Sequence, residues 1–391
     1  MNEQILISGA SIAGLTLAHW LARHGFEPTV VERAAALRTG GNGVDVRGHA
    51  GEVAQRTGIM PQVRQMAADV RGVKFVNAAD RAVARVDMRD LDPGSVEIMR
   101  GDLVALLHEA AGAQILFGDC IQELEQDEDG VNVTFEKAPA RRFDLVVGAD
   151  GMHSQVRRLA FGPEQEFIRH KDVYFAFANA DAALGEDRCV TMFNTPGRMA
   201  GIYRSGNHAQ ARAYFAFAST PLDYDHRDPA AHKQLVSDAF KDQSSWRTRE
   251  LLESALADPD FYFDACAQVH MNSWSNGRVA LVGDAAWCPS PASGAGAELA
   301  LVGAYRLAGE LAAANGHHQL AFTRYAAALR PMVTTKQQIG PNLRLMIPRT
   351  NAGRHIRNAL THLPLLKAAS AVERRLQSRT ARPLPHYAPA S

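Results

Sequence analysis

Near the start of the chain, Gly9-Ala10-Ser11-Ile12-Ala13-Gly14 has the spacing of a turn that cradles a pyrophosphate, with Ser11 where the second glycine of G-x-G-x-x-G is expected. Gly9 suits a sharp strand-to-helix turn. Position 11 must let backbone approach the phosphate, and Gly14 must lack a Cβ so that helix and strand can pack. The N–H groups of Ile12, Ala13 and Gly14 then open a helix whose N-terminus favours an anion. Serine is small, and its hydroxyl can itself donate to phosphate. Glu32, followed by Arg33, stands about 20 residues further on, where an acid binds a ribose hydroxyl. The joint pattern points to an adenine dinucleotide without separating NAD from FAD.

The elements that must hold this turn are legible around it. Ile5-Leu6-Ile7 reads as a strand, residues 15–22 as a helix closed by Gly25, and Thr29-Val30-Val31-Glu32 as a second strand. This βαβ unit predicts an α/β fold with a Rossmann-like parallel sheet. Residues 101–112 read as a helix, 131–135 as a half-exposed strand and 144–148 as a buried strand. Between about 173 and 263 the character changes. Tyr174–Phe177, Val190–Phe193 and Arg212–Phe217 read as strands of an inserted, mainly antiparallel sheet. Parallel-sheet character resumes at Val279-Ala280-Leu281-Val282, followed by a glycine-rich turn and a helix from about Glu298. The expected division is a discontinuous cofactor domain (1–172 and 270–340) and a substrate-binding sheet domain (173–269). Residues about 70–98 are a candidate addition to the sheet, and 341–391 form a C-terminal helical segment with a loose tail.

Composition excludes several partner classes. The 391 residues carry 42 basic and 42 acidic side chains, so no bulk charge draws the chain to nucleic acid or to an anionic membrane. Four scattered cysteines (Cys120, Cys189, Cys266, Cys288) form no CxxC pair and suit a reducing cytoplasm. No window approaches the roughly 18 apolar residues of a membrane span. The histidines show no metal-ligand spacing.

Two later segments narrow the choice. Gly148-Ala149-Asp150-Gly151-Met152-His153-Ser154-Gln155-Val156-Arg157 follows one buried strand. Gly283-Asp284-Ala285-Ala286-Trp287-Cys288-Pro289-Ser290-Pro291-Ala292-Ser293-Gly294-Ala295-Gly296 follows another. With the N-terminal turn, they resemble the three signatures of the class A flavoprotein monooxygenases, the p-hydroxybenzoate hydroxylase family. Within it the chain is most similar to the tetracycline-degrading monooxygenases, over about residues 4–330. The resemblance implies FAD as cofactor. It makes Asp284 the aspartate on the ribityl hydroxyls, and Pro291, Gly294, Ala295 and Gly296 the loop into a helix aimed at the flavin pyrimidine. It makes Arg100 an arginine reaching toward FAD, Asp45 an aspartate near the flavin, and Arg38 an arginine linked to the nicotinamide cofactor. It ties Asp150 to both FAD and NAD(P)H. The sequence departs from the family at Ser11, at Trp287 (often histidine) and at Glu298 (commonly asparagine). Trp287 is expected to alter packing beside the flavin, and Glu298 to disfavour an anionic reduced flavin.

The resemblance further implies a reaction. NADPH or NADH reduces FAD, dioxygen gives a flavin C4a-hydroperoxide, and one oxygen atom passes to an aromatic or polycyclic small molecule. The flavin carries the chemistry, so no catalytic side chain is assigned. Substrate is expected between the FAD domain and the inserted sheet, where Met192, Phe193, Met199, Tyr203, Tyr214, Phe215 and Phe217 compete for a cleft that alternation lets only about half of them reach. The rivals are an FAD-dependent dehydrogenase or reductase, and a non-catalytic flavin-binding partner in a biosynthetic pathway. A flavin halogenase is disfavoured because no W-x-W-x-I-P segment is present; Trp274 sits in Ser273-Trp274-Ser275-Asn276-Gly277.

Overall fold

The computed structural model describes residues 3–38, 40–87, 94–339, 342–361 and 383–388. The chain begins with β1 (Gln4–Ser8), α1 (Ile12–Arg23), β2 (Glu27–Glu32), β3 (Gly43–Val46), α2 (Gly48–Thr57) and α3 (Met60–Gln65). It continues with β4 (Gly72–Val76), β5 (Ala82–Asp87), β6 (Val96–Met99), α4 (Arg100–Ala111) and β7 (Gln114–Phe117). Next come β8 (Ile121–Gln126), β9 (Val131–Phe135), β10 (Arg141–Phe143), β11 (Leu145–Gly148) and α5 (Gln155–Phe161). The middle holds β12 (Ile168–Ala180), β13 (Cys189–Thr195), β14 (Arg198–Arg204), β15 (Ala211–Ala218), α6 (Pro229–Phe240), α7 (Thr248–Ala257) and β16 (Tyr262–Val269). The last elements are β17 (Ser275–Asn276), β18 (Val279–Leu281), α8 (Asp284–Trp287), α9 (Gly296–Ala313), α10 (His318–Lys336), α11 (Asn342–Met346) and α12 (Asn351–Thr361).

The first sheet has the order β17-β18-β11-β1-β2-β7 and is parallel apart from the edge strand β17. Ile5, Leu6, Ile7, Val146, Val147, Ala280 and Leu281 are wholly buried, the continuous apolar pattern of strands covered on both faces. Register matters for the site. Ser8 pairs with Gly148, and Gly148 with Leu281, so three strands end at one level. The helices α1 and α9 pack on this sheet, where Trp20 meets Tyr305 edge-on at 4.8 Å.

A second sheet, of order β16-β12-β15-β14-β13-β4-β5, is antiparallel except where β13 meets β4. β4 therefore shares hydrogen bonds with a strand more than 100 positions later, and β5 extends the sheet by pairing with β4. Alternation sorts its side chains. Tyr174, Ala176, Phe215, Phe217 and Phe263 join Val236 and Phe240 of α6 and Leu251 of α7 in one core, while Val173, Phe175, Met199 and Ala216 face the other way. A small ribbon (β3 with β6) and a three-stranded sheet (β10-β9-β8) complete the strands.

The described C-terminal residues, 342–361 and 383–388, are anchored more firmly than a loose tail, and the rest of the expected segment 341–391 lies outside the described residues. Arg357 of α12 is buried, lies 3.9 Å over the Phe75 ring and donates to Asn194 Oδ1 at 2.7 Å. Further on, Arg56 donates to the carbonyls of Leu384 and Pro385, Tyr305 also donates to Pro385, and Tyr387 donates to Glu310 at 2.6 Å. These partners come from α2 and α9, so residues 383–388 lie against the first sheet's helical layer. Buried donors on those helices need acceptors, and the tail's carbonyls provide them. Among the described residues no helix is long and apolar enough to cross a membrane.

Candidate functional site

The three glycine-containing segments meet at the carboxyl ends of β1, β11 and β18, the neighbouring strands just described. A Cβ at Gly9 would stand 2.6 Å from the carbonyl oxygen of Ala149 and 3.1 Å from the Asp150 Cα. A Cβ at Gly283 would stand 2.8 Å from the Ala13 Cβ, and one at Gly14 would overlap the Gly9 carbonyl. Gly9 also holds φ +108, a backbone region that favours glycine. First turn, middle loop and late loop are thus in van der Waals contact through positions where no side chain fits.

Around this junction the sequence-expected residues fall into distinct settings. Ile12 and Ala13 are buried in the first turn of α1, which has no side-chain cap. Ser11, the N-cap position, uses its hydroxyl to accept a 2.9 Å hydrogen bond from Arg100 at the start of α4. Glu32 accepts from the N–H groups of Ala10 and Ala34, both at 2.8 Å, and so ties the end of β2 to the turn. Arg33 and Arg38 are exposed on the loop after β2. That loop passes close to the second sheet, because a Cβ on Gly40 would be 3.7 Å from an Arg212 nitrogen.

Asp150 spends its carboxylate on the next helix. It accepts from the Ser154 hydroxyl and from the N–H groups of Gln155 (2.8 Å) and Val156 (3.1 Å) at the start of α5. Burial raises its pKa against those hydrogen bonds, which lower it. Asp284 differs. Its side chain is open to solvent, yet desolvation raises its pKa while the charge of Arg100 lowers it. Both hold for a carboxylate on the floor of a deep, open crevice, wetted on one side and walled by protein on the others.

The late loop curls beside β3. Pro291 and Gly294 are exposed, Ala295 is buried, and Gly294 adopts a left-handed conformation at φ +61. A Cβ on Gly294 would be 4.0 Å from an Arg47 nitrogen, and one on Gly296, the first residue of α9, would meet nothing within 4 Å. No side chain caps α9. Its first-turn N–H groups thus stand at an open position, suited to a partly negative ligand atom. Asp45 lies across from Glu97 in the β3–β6 ribbon and accepts from Ser95 at 3.1 Å.

These features test whether FAD fits: a turn stripped of side chains, an uncapped helix start beside it, a crevice carboxylate at Asp284 and an arginine at Arg100. Each suits one part of a dinucleotide, from phosphate to ribityl hydroxyls, and the residues fit it.

Two departures from the family have well-defined partners in the fold. Trp287 is buried at 1% exposure and packs edge-on against Trp274 at 4.6 Å, beside Tyr325 at 5.7 Å and against Gly303 of α9. It fills core between α8, α9 and α10. Glu298 is buried and ion-paired to Lys336 of α10 at 2.8 Å, so its charge is compensated by a cation that the linear sequence does not place beside it. Cys288 is buried, and burial drives its thiol pKa far up, as suits an inert small side chain.

Sequence reasoning missed one cluster. His153, in the middle loop, bridges Glu164 (3.0 Å) and Asp264 of β16 (3.1 Å), and Asp264 in turn accepts from Tyr262 at 3.0 Å. His226 stacks on His153 at 4.4 Å. Burial alone would lower the His153 pKa, but the two carboxylates outweigh it and lift the value to about 9. The group joins the first sheet's loop to the second sheet, and only the histidine's place two residues after Gly151 hinted at it.

The FAD binding domain family matches residues 2–327 of the chain. A flavin-dependent monooxygenase of Legionella longbeachae is 40% identical over 345 residues, covering 87% of this chain and 88% of that protein. An uncharacterized protein of Mycobacterium tuberculosis is 42% identical over 343 residues, covering 86% and 92%. Among solved structures, tetracycline destructase Tet(51) superposes with a TM-score of 0.85 at 32% identity, covering 99% of this chain and 100% of that one. Tetracycline destructase Tet(55) gives 0.81 at 35% identity, covering 99% of each chain. With its three strand-end segments converging on one crevice, the chain belongs to the FAD binding domain family and is a flavin-dependent monooxygenase.

Proposed function

We propose that the chain hydroxylates an aromatic or polycyclic small molecule, consuming O2 and NADPH or NADH, in the cleft between the crevice and the second sheet. The carrying observation is the contact of the Gly9–Gly14 turn, the Asp150 loop and the Asp284 loop at the ends of β1, β11 and β18. When bound, FAD accepts hydride from the nicotinamide cofactor and activates dioxygen; the protein's task is to bind, orient and exclude water.

In this reading Gly9, Ser11, Ile12, Ala13 and Gly14 receive the pyrophosphate. Glu32 and Arg33 flank the adenosine ribose, and Arg100 supports the phosphates through Ser11. Asp284 accepts from ribityl hydroxyls. Pro291, Gly294, Ala295 and Gly296 present N–H groups to the flavin pyrimidine, where Asp45 lies close by. Asp150 shapes its loop by holding α5, and exposed Arg38 meets the nicotinamide cofactor as it arrives. Residues 1–172 and 270–340 serve as the FAD domain, 173–269 with about 70–98 as the substrate sheet, and 341–391 as the C-terminal segment. A cytoplasmic location suits the four unpaired cysteines.

On the substrate side, Met192, Met199, Tyr203 and Tyr214 share the face of the second sheet that looks toward the crevice. Phe215 and Phe217 point to α6, and Phe193 meets Trp246 beyond that face. The testing experiment is a visible spectrum of the purified protein, then NADPH and NADH oxidation against a panel of phenols and polyketides under 18O2. Bound flavin, substrate-stimulated oxidation and 18O in the product support the reading. Stimulated oxidation without 18O in any product would replace it with a dehydrogenase.

A further inference from the structure

A cavity of about 630 Å³ lies where the chain crosses from the first sheet to the second and back. Phe167 and Arg169, at the entry to β12, form one wall, and His270 and Met271, just past β16, form another. The two crossings are paired. Ile168 stands in register with Val269, and the His270 N–H donates to the Phe167 carbonyl at 2.9 Å. α10 closes the third side with Arg330, Thr334 and Gln337. None of the lining residues is one assigned above to FAD or to the nicotinamide cofactor. The volume is that of a small-molecule pocket.

The inner wall is apolar. Met271, Trp274, Trp287 and Val333 are buried, and Phe167 is half-buried. Trp287 carries an indole N–H with no hydrogen-bond partner among the described residues, where a buried indole ordinarily has one. The rim is cationic. Arg330 lies 4.3 Å over the Trp274 ring and is held there by the carbonyls of Met271 (3.1 Å) and Asn272 (2.8 Å). Arg169 is exposed and, among the described residues, donates only to the adjoining Ile168 carbonyl at 3.1 Å. Glu166 is the single acid of the lining against these two arginines. The charges of Lys171 and Arg169 also reach His270, whose pKa is lowered by burial first and then by those cations. Apolar walls under an excess of guanidinium charge suit an organic anion.

The cavity is wired to the loop between β18 and α9. Gln337 donates to the carbonyls of Val269 (2.8 Å) and Trp287 (3.3 Å), and Gln268 donates to those of Gln337 (2.7 Å) and Pro289 (3.1 Å). A displacement of α10 or of the β16 end therefore pulls on backbone of the segment that carries Asp284 and Gly294.

We propose that this cavity is a second ligand site, outside the crevice, for a small organic anion whose apolar body packs on Phe167, Met271 and Trp274 and whose carboxylate pairs with Arg169, and that its occupant acts on the flavin loop through Gln337. The site stands independently of the oxygenation reaction; its action on the flavin rests on the monooxygenase reading.

The test is calorimetric titration of the FAD-loaded enzyme with naphthalene-2-carboxylate and with its neutral analogue naphthalene-2-carboxamide. At about pH 7.5 the carboxylate should bind at least about tenfold more tightly. Arg169→Gln, at an exposed side chain, should weaken the carboxylate at least about fivefold and leave the carboxamide within about twofold. Thr334→Trp places an indole in the cavity from α10 and should abolish binding of both probes there. Flavin fluorescence should change along the same curve as the heat in the wild type and stay flat in Thr334→Trp. Absence of binding, equal affinities for the two probes, or a carboxylate affinity unchanged by either variant overturns the site. If Thr334→Trp does not fold, Arg169→Gln and the carboxamide decide the matter. Binding with no change in flavin fluorescence overturns the coupling through Gln337. Protein that cannot be loaded with FAD overturns the monooxygenase reading, and the calorimetric comparison still decides the site.

Discussion

Arg100 donates to the hydroxyl of Ser11 at 2.9 Å, joining the first residue of α4 to the turn before α1 across 89 positions of sequence. Where the dinucleotide fingerprint has a glycine, this chain thus has a hydroxyl that orients an arginine. Arg100→Ala should weaken FAD binding about tenfold, the equivalent of about 1.4 kcal/mol, in titrations of the apoprotein followed by flavin fluorescence. Ser11→Gly should weaken it by less, since the guanidinium remains. Equal FAD affinity in Arg100→Ala and wild type would remove Arg100 from the cofactor site.

Gly14 is a close-approach position, because its Cβ would overlap the carbonyl of Gly9. Gly14→Val should yield protein that is either insoluble or colourless, with the flavin absorbance of the purified fraction as the readout. Gly296→Ala is the contrast. A Cβ there meets nothing within 4 Å of protein, so the variant should fold as the wild type does while losing flavin affinity if that space belongs to FAD.

The His153 cluster makes stability depend on pH. Its folded-state pKa of about 9 lies above the ordinary 6.5. Protonated His153 therefore contributes its full stabilisation below about pH 6.5, and that contribution falls away as pH rises through about 9. The upper bound is about 3 kcal/mol, from about 2.5 pKa units at 1.36 kcal/mol each. Melting temperatures measured from about pH 6.5 to 10 should decline in the wild type and flatten in His153→Gln. A wild-type curve parallel to that of the variant would refute the ion-pair assignment.

Lys336 compensates the buried carboxylate of Glu298 at the start of α9. Lys336→Met strands that charge and should cost about 3 kcal/mol in denaturant unfolding. Adding Glu298→Gln to it should recover most of the loss. If the single and double variants unfold alike, the pair is not the source of the effect.

Trp287 is almost wholly buried and fills core between helices. Trp287→His, which restores the residue common in the family, should lower stability by about 3 kcal/mol through the cavity left beside Gly303. The visible spectrum of bound flavin should stay as in the wild type. A shifted flavin band would place the residue beside the isoalloxazine after all.

The sequence by itself determined what local geometry can encode. Gly9 and Gly14 spell the turn, the continuous apolar runs at residues 5–7, 145–148 and 279–282 spell buried parallel strands, and Val131, Val133 and Phe135 alternate inward as a two-residue period requires. Those signals act over a few residues, so spacing alone reveals them, and three such segments in order carry the resemblance to the flavin monooxygenases that implies FAD. Tertiary structure decided which distant groups meet. It joined Ser11 to Arg100, Glu298 to Lys336 and His153 to Asp264, brought β4 and β5 into the second sheet, and docked residues 383–388 on α2 and α9. It also chose the cleft face: Tyr203 and Tyr214 look toward the crevice, Phe215 and Phe217 away. Alternation fixes that neighbours differ, but which of the two faces is covered depends on where α6 and α7 land, and that follows only from the packing of the whole chain.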